Sequence, residues 1–335
     1  MLQTARRTVG AVILDVPPAL SALQKGEWVR LRNRADVTTQ IDAPLATRVL
    51  SDKTSTLHVC DVFPGIGARL LRVAARQWSF SSAAEVSFSE NPDVSFIIPF
   101  RGEDRTEQLH AVIRSIAGSG AGVECIVVEQ DESRRLESLP GNTRYLHLPH
   151  PKGDTRWHKC FAMNEGARHA KGRILVFHDG DLVVPNRYLE ELRRLFDVAG
   201  NDVAFPQRFL FYLDALASRS IQMARGHCEL STIVPARITQ NWVGGTVAIR
   251  SEAFWAIGGF DERFVGWGGE DLEFYDRCQT LRGFFHGYLP FLHLWHPYQK
   301  GKKNPEAREC GDDFTTEVLS VPREDRIRAL RSLPQ

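Results

Sequence analysis

Two carboxylates one residue apart end an apolar run in Leu175-Val176-Phe177-His178-Asp179-Gly180-Asp181. This spacing can aim a carboxylate at a cation. Hard divalent ions such as Mg²⁺ or Mn²⁺ take oxygen ligands, commonly one or two carboxylates together with substrate phosphates. By itself the pattern says little, because turns after strands are rich in Asp and Gly. A second acidic pair, Glu270-Asp271, follows the glycine-dense stretch Gly266-Trp267-Gly268-Gly269 and opens a segment, Leu272 to Cys278, that reads as a helix. Acids at a helix start meet free backbone N–H groups, so the pair either caps the helix or offers a base to a substrate. Third comes His293-Leu294-Trp295-His296, closing an aromatic stretch read as a strand from Phe284 to Leu294. Two imidazoles three residues apart reach one metal if the strand ends between them. One histidine in such a stretch is commonly a hydrogen-bonded core residue; with Asp-x-Asp upstream, ligation by at least one of the two is the expected reading.

These groups need a scaffold, and the sequence supplies one from about residue 92 onward. Val94 to Pro99 is a short run of branched apolar residues, and Asp104 to Ala117 then puts Leu109, Val112, Ile113 and Ile116 on one helical face. Val123 to Val128 is again strand-like, Tyr145 to Leu148 is a weaker strand, Lys159 to Ala170 reads as a helix, and Arg173 to Phe177 as the next strand. Repeated strand-helix units predict an α/β fold, a mixed but mainly parallel sheet flanked by helices, with ligands beyond the carboxyl ends of the strands. Asn186 is the expected cap of a helix bearing Leu189, Leu192 and Phe196, and Phe209 to Ala224 reads as an apolar core helix or an acceptor-site wall. The expected organisation is residues 1–90 as a small N-terminal accessory region, 91–300 as the catalytic domain, and 301–335 as a tail with a short helix from Arg323 to Leu333.

Composition narrows the function classes without choosing one. In 335 residues, 43% are hydrophobic and 25% charged, with a formal net charge of +1. The balance excludes a wholly disordered or fibrous chain and gives no global field for nucleic acid or an acidic membrane. No run approaches the roughly 20 apolar residues that cross a bilayer, and Asp15 interrupts the short apolar stretch near the start. The six cysteines are widely spaced without a Cys-x-x-Cys pair, which suits reduced thiols in the cytoplasm.

Taken in order, Ile98-Pro99-Phe100-Arg101, Lys159-x-x-x-x-Asn164, Asp179-Gly180-Asp181, Val243-Gly244-Gly245, Gly259-Phe260-Asp261-Glu262, Gly266-Trp267-Gly268-Gly269-Glu270-Asp271 and His293-x-x-His296 resemble the GT-A glycosyltransferases. The resemblance is strongest to the beta-galactosyltransferase type and the related chondroitin polymerases and N-acetylgalactosaminyltransferases. It covers roughly residues 94–300, and the Gly-Trp-Gly-Gly-Glu-Asp block is its most specific part. It implies a UDP-sugar donor beside Pro99, Phe100, Arg101, Lys159, Asp179, Asp181, Gly245 and Trp267. It implies Mn²⁺ or Mg²⁺ on Asp181 and His296, with His293 in a place where the family's residue varies. Asp271 matches the family's base, and Glu270 would support the acceptor or the tryptophan loop. The galactosyltransferases often carry a further acid directly after this pair, where this chain has Leu272, so the acceptor need not be N-acetylglucosamine.

The expected reaction is inverting transfer to an acceptor hydroxyl on a glycan, peptide or small molecule, in a cytoplasmic bacterial enzyme. A metal-dependent nucleotidyltransferase is an alternative, but it predicts a glycine-rich phosphate loop, and Phe100-Arg101-Gly102-Glu103-Asp104 has one glycine. A non-catalytic carbohydrate-binding protein is another; it predicts loss of metal or base residues, whereas Asp181, His296 and Asp271 are present.

Overall fold

The computed structural model describes residues 10, 14–33, 37–40, 47–50, 56–150, 154, 156–266, 268–285, 287–297 and 314–333. Its centre is a seven-stranded mixed sheet: β1 Val94–Phe100, β2 Val123–Gln130, β3 Arg144–Leu148, β4 Ile174–His178, β5 Val203–Ala204, β6 Thr246–Arg250 and β7 Gly283–Phe284. In space the order is β7-β5-β6-β4-β1-β2-β3. The run β4-β1-β2-β3 is parallel, whereas β6 lies antiparallel to β4 and to β5. The mixed, mainly parallel α/β arrangement expected from the strand-helix alternation is what forms.

Helix α1, Thr106–Gly118, and helix α2, Lys159–His169, follow β1 and β3 and cover the sheet's two faces. Every residue of β1 is buried, which explains its uninterrupted apolar character: a strand covered on both sides has no solvent face to alternate. Val94, Phe96, Ile98 and Phe100 join the core cluster on the α1 side, while Ile97 joins the cluster on the α2 side. Residues from the first ninety, including Trp28, Leu57, Leu70, Leu71 and Phe80, belong to that same α1-side cluster. Buried Arg208 ties this segment down, donating to the Val29 carbonyl at 2.7 Å and to that of Leu31.

Some local expectations fail for identifiable reasons. The apolar stretch Phe209 to Ala224 is a strand, Gln207–Tyr212, followed by a helix, Ala215–Met223, with Leu216 and Met223 exposed. A continuous apolar run fits a buried strand as well as a core helix. The stretch read as one strand from Phe284 to Leu294 is β7 plus a separate strand, Leu289–His293. Asn186 does not cap a helix; its side chain bonds Ser79 and Ser81, and the helix Tyr188–Arg193 follows Arg187 in left-handed backbone conformation. Helix α3, Glu270–Cys278, begins at the acidic pair, and helix α4, Arg323–Arg331, lies within the expected C-terminal helix.

Candidate active site

Backbone pairing brings three chain segments to one edge. In the β1–β4 register Ile97 stands beside Phe177, so Pro99-Phe100-Arg101 and Asp179-Gly180-Asp181 leave the sheet side by side. Because β6 runs antiparallel to β4 with Thr246 opposite His178, Gly244 and Gly245 arrive at the same edge. The Asp179 amide donates to the Gly245 carbonyl at 2.8 Å, locking the two segments together. Gly245 sits at φ +88°, and a Cβ there would lie 2.7 Å from Leu182, so the position requires glycine on both counts. Below the turn, buried His178 donates from Nε2 to the Leu182 carbonyl at 2.8 Å and accepts at Nδ1 from the Thr246 hydroxyl at 2.9 Å. Burial holds this imidazole below its ordinary pKa and so keeps it neutral.

The carboxylates flanking Gly180 face different partners. Asp181, 5% exposed, approaches both histidines: Oδ1 is 3.8 Å from His293 Nε2, and Oδ2 is 3.4 Å from His296 Nε2. Strand Leu289–His293 makes this meeting, pairing His293 with Leu182 while the Leu294 amide donates to the Asp181 carbonyl at 2.9 Å. Candidate ligand atoms of Asp181, His293 and His296 all lie within 4.8 Å of one another. His296 Nδ1 is 3.0 Å from the Pro297 carbonyl, which can only accept, so Nδ1 donates there and Nε2 is the ring nitrogen turned toward Asp181. The His293 ring stacks on Tyr212 at 4.3 Å, and burial lowers its pKa. One carboxylate and two imidazoles make a mixed oxygen and nitrogen donor set able to hold a divalent ion. Arg105, which no motif pointed to, places Nη1 3.3 Å from Asp181 Oδ2.

Asp179 belongs to a second cluster. Lys159, the first residue of α2, sets Nζ 3.3 Å from Asp179, 3.2 Å from Glu270 and 3.8 Å from Asp271. Burial alone would lower the Lys159 pKa, but the three carboxylates outweigh it and hold the ammonium well above its ordinary value. Glu270 is buried and committed twice, to Lys159 and to the Gly268 amide at 3.2 Å. Asp271 keeps 32% of its side chain open to solvent. Desolvation raises its pKa, Lys159 pulls the other way, and Glu270 and Asp179 add to the rise, leaving the carboxyl pushed up to about 7. Gly244 lies against this group so closely that a Cβ would collide with Asp271 Oδ2 and stand 2.8 Å from the Trp242 indole nitrogen.

Of the remaining expected residues, Arg101 is half-buried at the strand end; burial, and after it the Arg101 charge, holds the pKa of nearby His150 down. Phe100 is turned into the core by the alternation that buries Phe96 and Ile98, so its ring is not presented to a ligand. Buried Asn164 accepts from the Phe260 amide at 2.9 Å and donates to the Glu262 carboxylate at 2.8 Å, pinning the Gly259-Phe260-Asp261-Glu262 loop. Trp267 lies outside the described residues.

Residues 224–290 match the family model described as the N-terminal domain of galactosyltransferase. Chondroitin synthase of Escherichia coli is 27% identical over 241 residues, covering 63% of this chain and 33% of that protein. Chondroitin sulfate N-acetylgalactosaminyltransferase 2 of Homo sapiens is 27% identical over 205 residues, covering 54% of this chain and 32% of that protein. The match thus spans about a third of the length of these relatives. The crystal structure of S. aureus TarS 1-349 aligns with a TM-score of 0.45 and 13% identity over 71% of this chain and 70% of that one.

Proposed function

We propose that this chain, similar over part of its length to chondroitin synthase and an N-acetylgalactosaminyltransferase, is a GT-A glycosyltransferase that catalyses metal-dependent, inverting transfer of a hexose or N-acetylhexosamine from a UDP-sugar to an acceptor hydroxyl. The supporting observation is the division of labour across Gly180, with Asp181 among two imidazoles and Asp179 joined through Lys159 to Asp271. A cation-binding group and a base candidate thereby meet at one sheet edge.

Asp181, His296 and His293 would hold Mn²⁺ or Mg²⁺, whose positive charge offsets what develops on the diphosphate leaving group. The strand end at Pro99 to Arg101, with Asp179 and Gly245, forms the nucleotide side, and Arg101 adds positive charge. Asp271 accepts the proton of the acceptor hydroxyl. The hydroxyl oxygen forms its bond to the anomeric carbon from the face opposite the diphosphate, and the sugar–phosphate bond breaks with its electron pair leaving on phosphate oxygen, so configuration inverts. A carboxyl with a pKa near 7 suits this task, because a large share of it is ionised at neutral pH and it is still basic enough to take a proton. The five described cysteines are all buried and unpaired, which supports a reducing compartment. Among the described residues no helix is long and apolar enough to cross a membrane.

The test is a panel of nucleotide sugars incubated with and without Mn²⁺ and scored for released nucleoside diphosphate. One UDP-sugar is expected to be used, with loss of release in chelator and restoration by added metal. Release indifferent to chelator overturns the metal dependence, and a product retaining the donor's anomeric configuration overturns the single displacement.

A further inference from the structure

We infer that the C-terminal segment, residues 314–331, is the element that positions the catalytic carboxylates, with Arg326 as its positioning residue; this rests on the assignment of Asp271 as base. Helix α3 carries Glu270 and Asp271 on its first turn and anchors itself through residues further along. Glu273 and Arg277, 1% and 0% exposed, form a two-pronged ion pair at 2.7 Å. Arg277 also donates to the carbonyls of Ile257 and Gly259, at 2.6 and 2.7 Å.

The rest of the anchor comes from the C-terminal segment. Arg326, 4% exposed, donates to Glu273 Oε1 at 2.7 Å and to Asp276. Arg323 grips Asp276 from its other side, with Nη2 2.6 Å from Oδ1. Two acids of α3 thus face three arginines, two of them supplied by α4. Remove Arg326 and Glu273 shares its buried charge with Arg277 alone, a change the helix can relieve by shifting.

The same segment bears directly on the loop before α3. Gly269, the residue preceding Glu270, sits at φ +90° with its Cα packed on Thr315 so tightly that a Cβ would overlap Oγ1. Phe314 meets the ring of Phe264 edge-on at 4.9 Å. Further along, a Cβ at Gly258 would stand 2.6 Å from Leu330 Cβ. The buttress therefore touches both the glycine loop that delivers the acids and the helix that carries them. The metal-side residues Asp181 and His293 depend instead on strand pairing, which no residue of 314–331 enters.

The two halves of the site should therefore respond differently. Arg326→Lys retains a charge but cannot hold Glu273 and Asp276 together, and Thr315→Ala loosens the Gly269 contact without touching the ion pairs. Each is measured for donor KM, kcat, Mn²⁺-dependent UDP affinity by calorimetry, and amide hydrogen exchange in residues 268–276. Faster exchange confined to that stretch is expected, with kcat down on the order of tenfold or more and with donor KM and UDP affinity unchanged, since small misplacements of a base cost rate rather than ground-state binding. Unchanged exchange and kcat in both variants overturn the inference, as does a parallel loss of UDP affinity and kcat. If wild-type protein transfers no sugar at all, the glycosyltransferase reading fails while the exchange data still decide whether 314–331 holds the acidic loop in place.

Discussion

The two halves of the site reach their geometry by different means. Asp181, His293 and His296 are set by main chain: the Leu294 amide bonds the Asp181 carbonyl, His293 pairs with Leu182, and a buried neutral histidine closes the turn beneath. Asp271 and Glu270 are set by side chains and by missing side chains: Lys159, the Glu273–Arg277–Arg326 cluster, and glycines at 244 and 269. A backbone ladder tolerates many substitutions because its bonds do not depend on side-chain identity. A charge cluster tolerates few, because each removal leaves another group buried and unpaired. Single substitutions near the metal side should therefore act through the ligands alone, while those near the base also act from a distance.

The largest effect is expected on the metal side. Asp181→Asn should abolish Mn²⁺-dependent binding of UDP in calorimetry and with it all measurable transfer, because it removes the only carboxylate of the donor set. The ladder through its backbone carbonyl remains, so circular dichroism and the melting transition should stay close to wild type; a collapsed fold would show that the turn is held by the carboxylate instead.

Next in size is Asp271→Asn. Loss of a positioned base typically costs roughly 10²- to 10⁴-fold, here in kcat with UDP affinity retained. The pH profile gives the sign independently. Asp271 must be ionised to accept a proton and its pKa lies near 7, so wild-type kcat should rise with pH through about 7 and level off above it. In Asp271→Asn that limb should vanish. A limb of the same midpoint surviving in the variant would assign the titration to another group.

Gly244→Ala is the smallest change and sharpens the comparison most. Its methyl group would run into Asp271 Oδ2, and a displacement of about 1 Å at a reacting group costs on the order of a hundredfold in rate. We expect kcat to fall by about that amount or less, with donor KM unaltered. Equal losses in KM and kcat would mean that the edge shared with Gly245 moves as one body and that the halves are not separable.

Much of this was legible in the sequence because the motif residues sit where strands stop, and strand ends are marked by abrupt changes from apolar to polar or glycine. Asp179-Gly180-Asp181, His293-x-x-His296 and the Glu270-Asp271 helix start were all visible on that ground. What escaped depends on which residues become neighbours. Arg105 has no local pattern tying it to Asp181, 76 positions away. Thr315 and Arg326 looked like parts of a polar tail because their partners, Gly269 and Glu273, lie some fifty residues earlier. The resemblance puts Phe100 beside the nucleotide, and strand alternation sets its ring in the α1-side core. The stretch after Phe209 is read as a helix because a short apolar run such as Phe209-Leu210-Phe211 looks alike in a strand and a helix.

For anyone wishing to change what this site accepts, the close packing at Gly244 and Gly269 works as a map of forbidden ground. Atoms added at either place displace the base or the loop that carries it. One residue beyond Asp271, however, Leu272 projects with 52% of its surface in solvent, on the same turn of α3 and outside the charge cluster. A library built there can be varied freely in size and polarity, whereas one built on the glycines would mostly sample broken machinery.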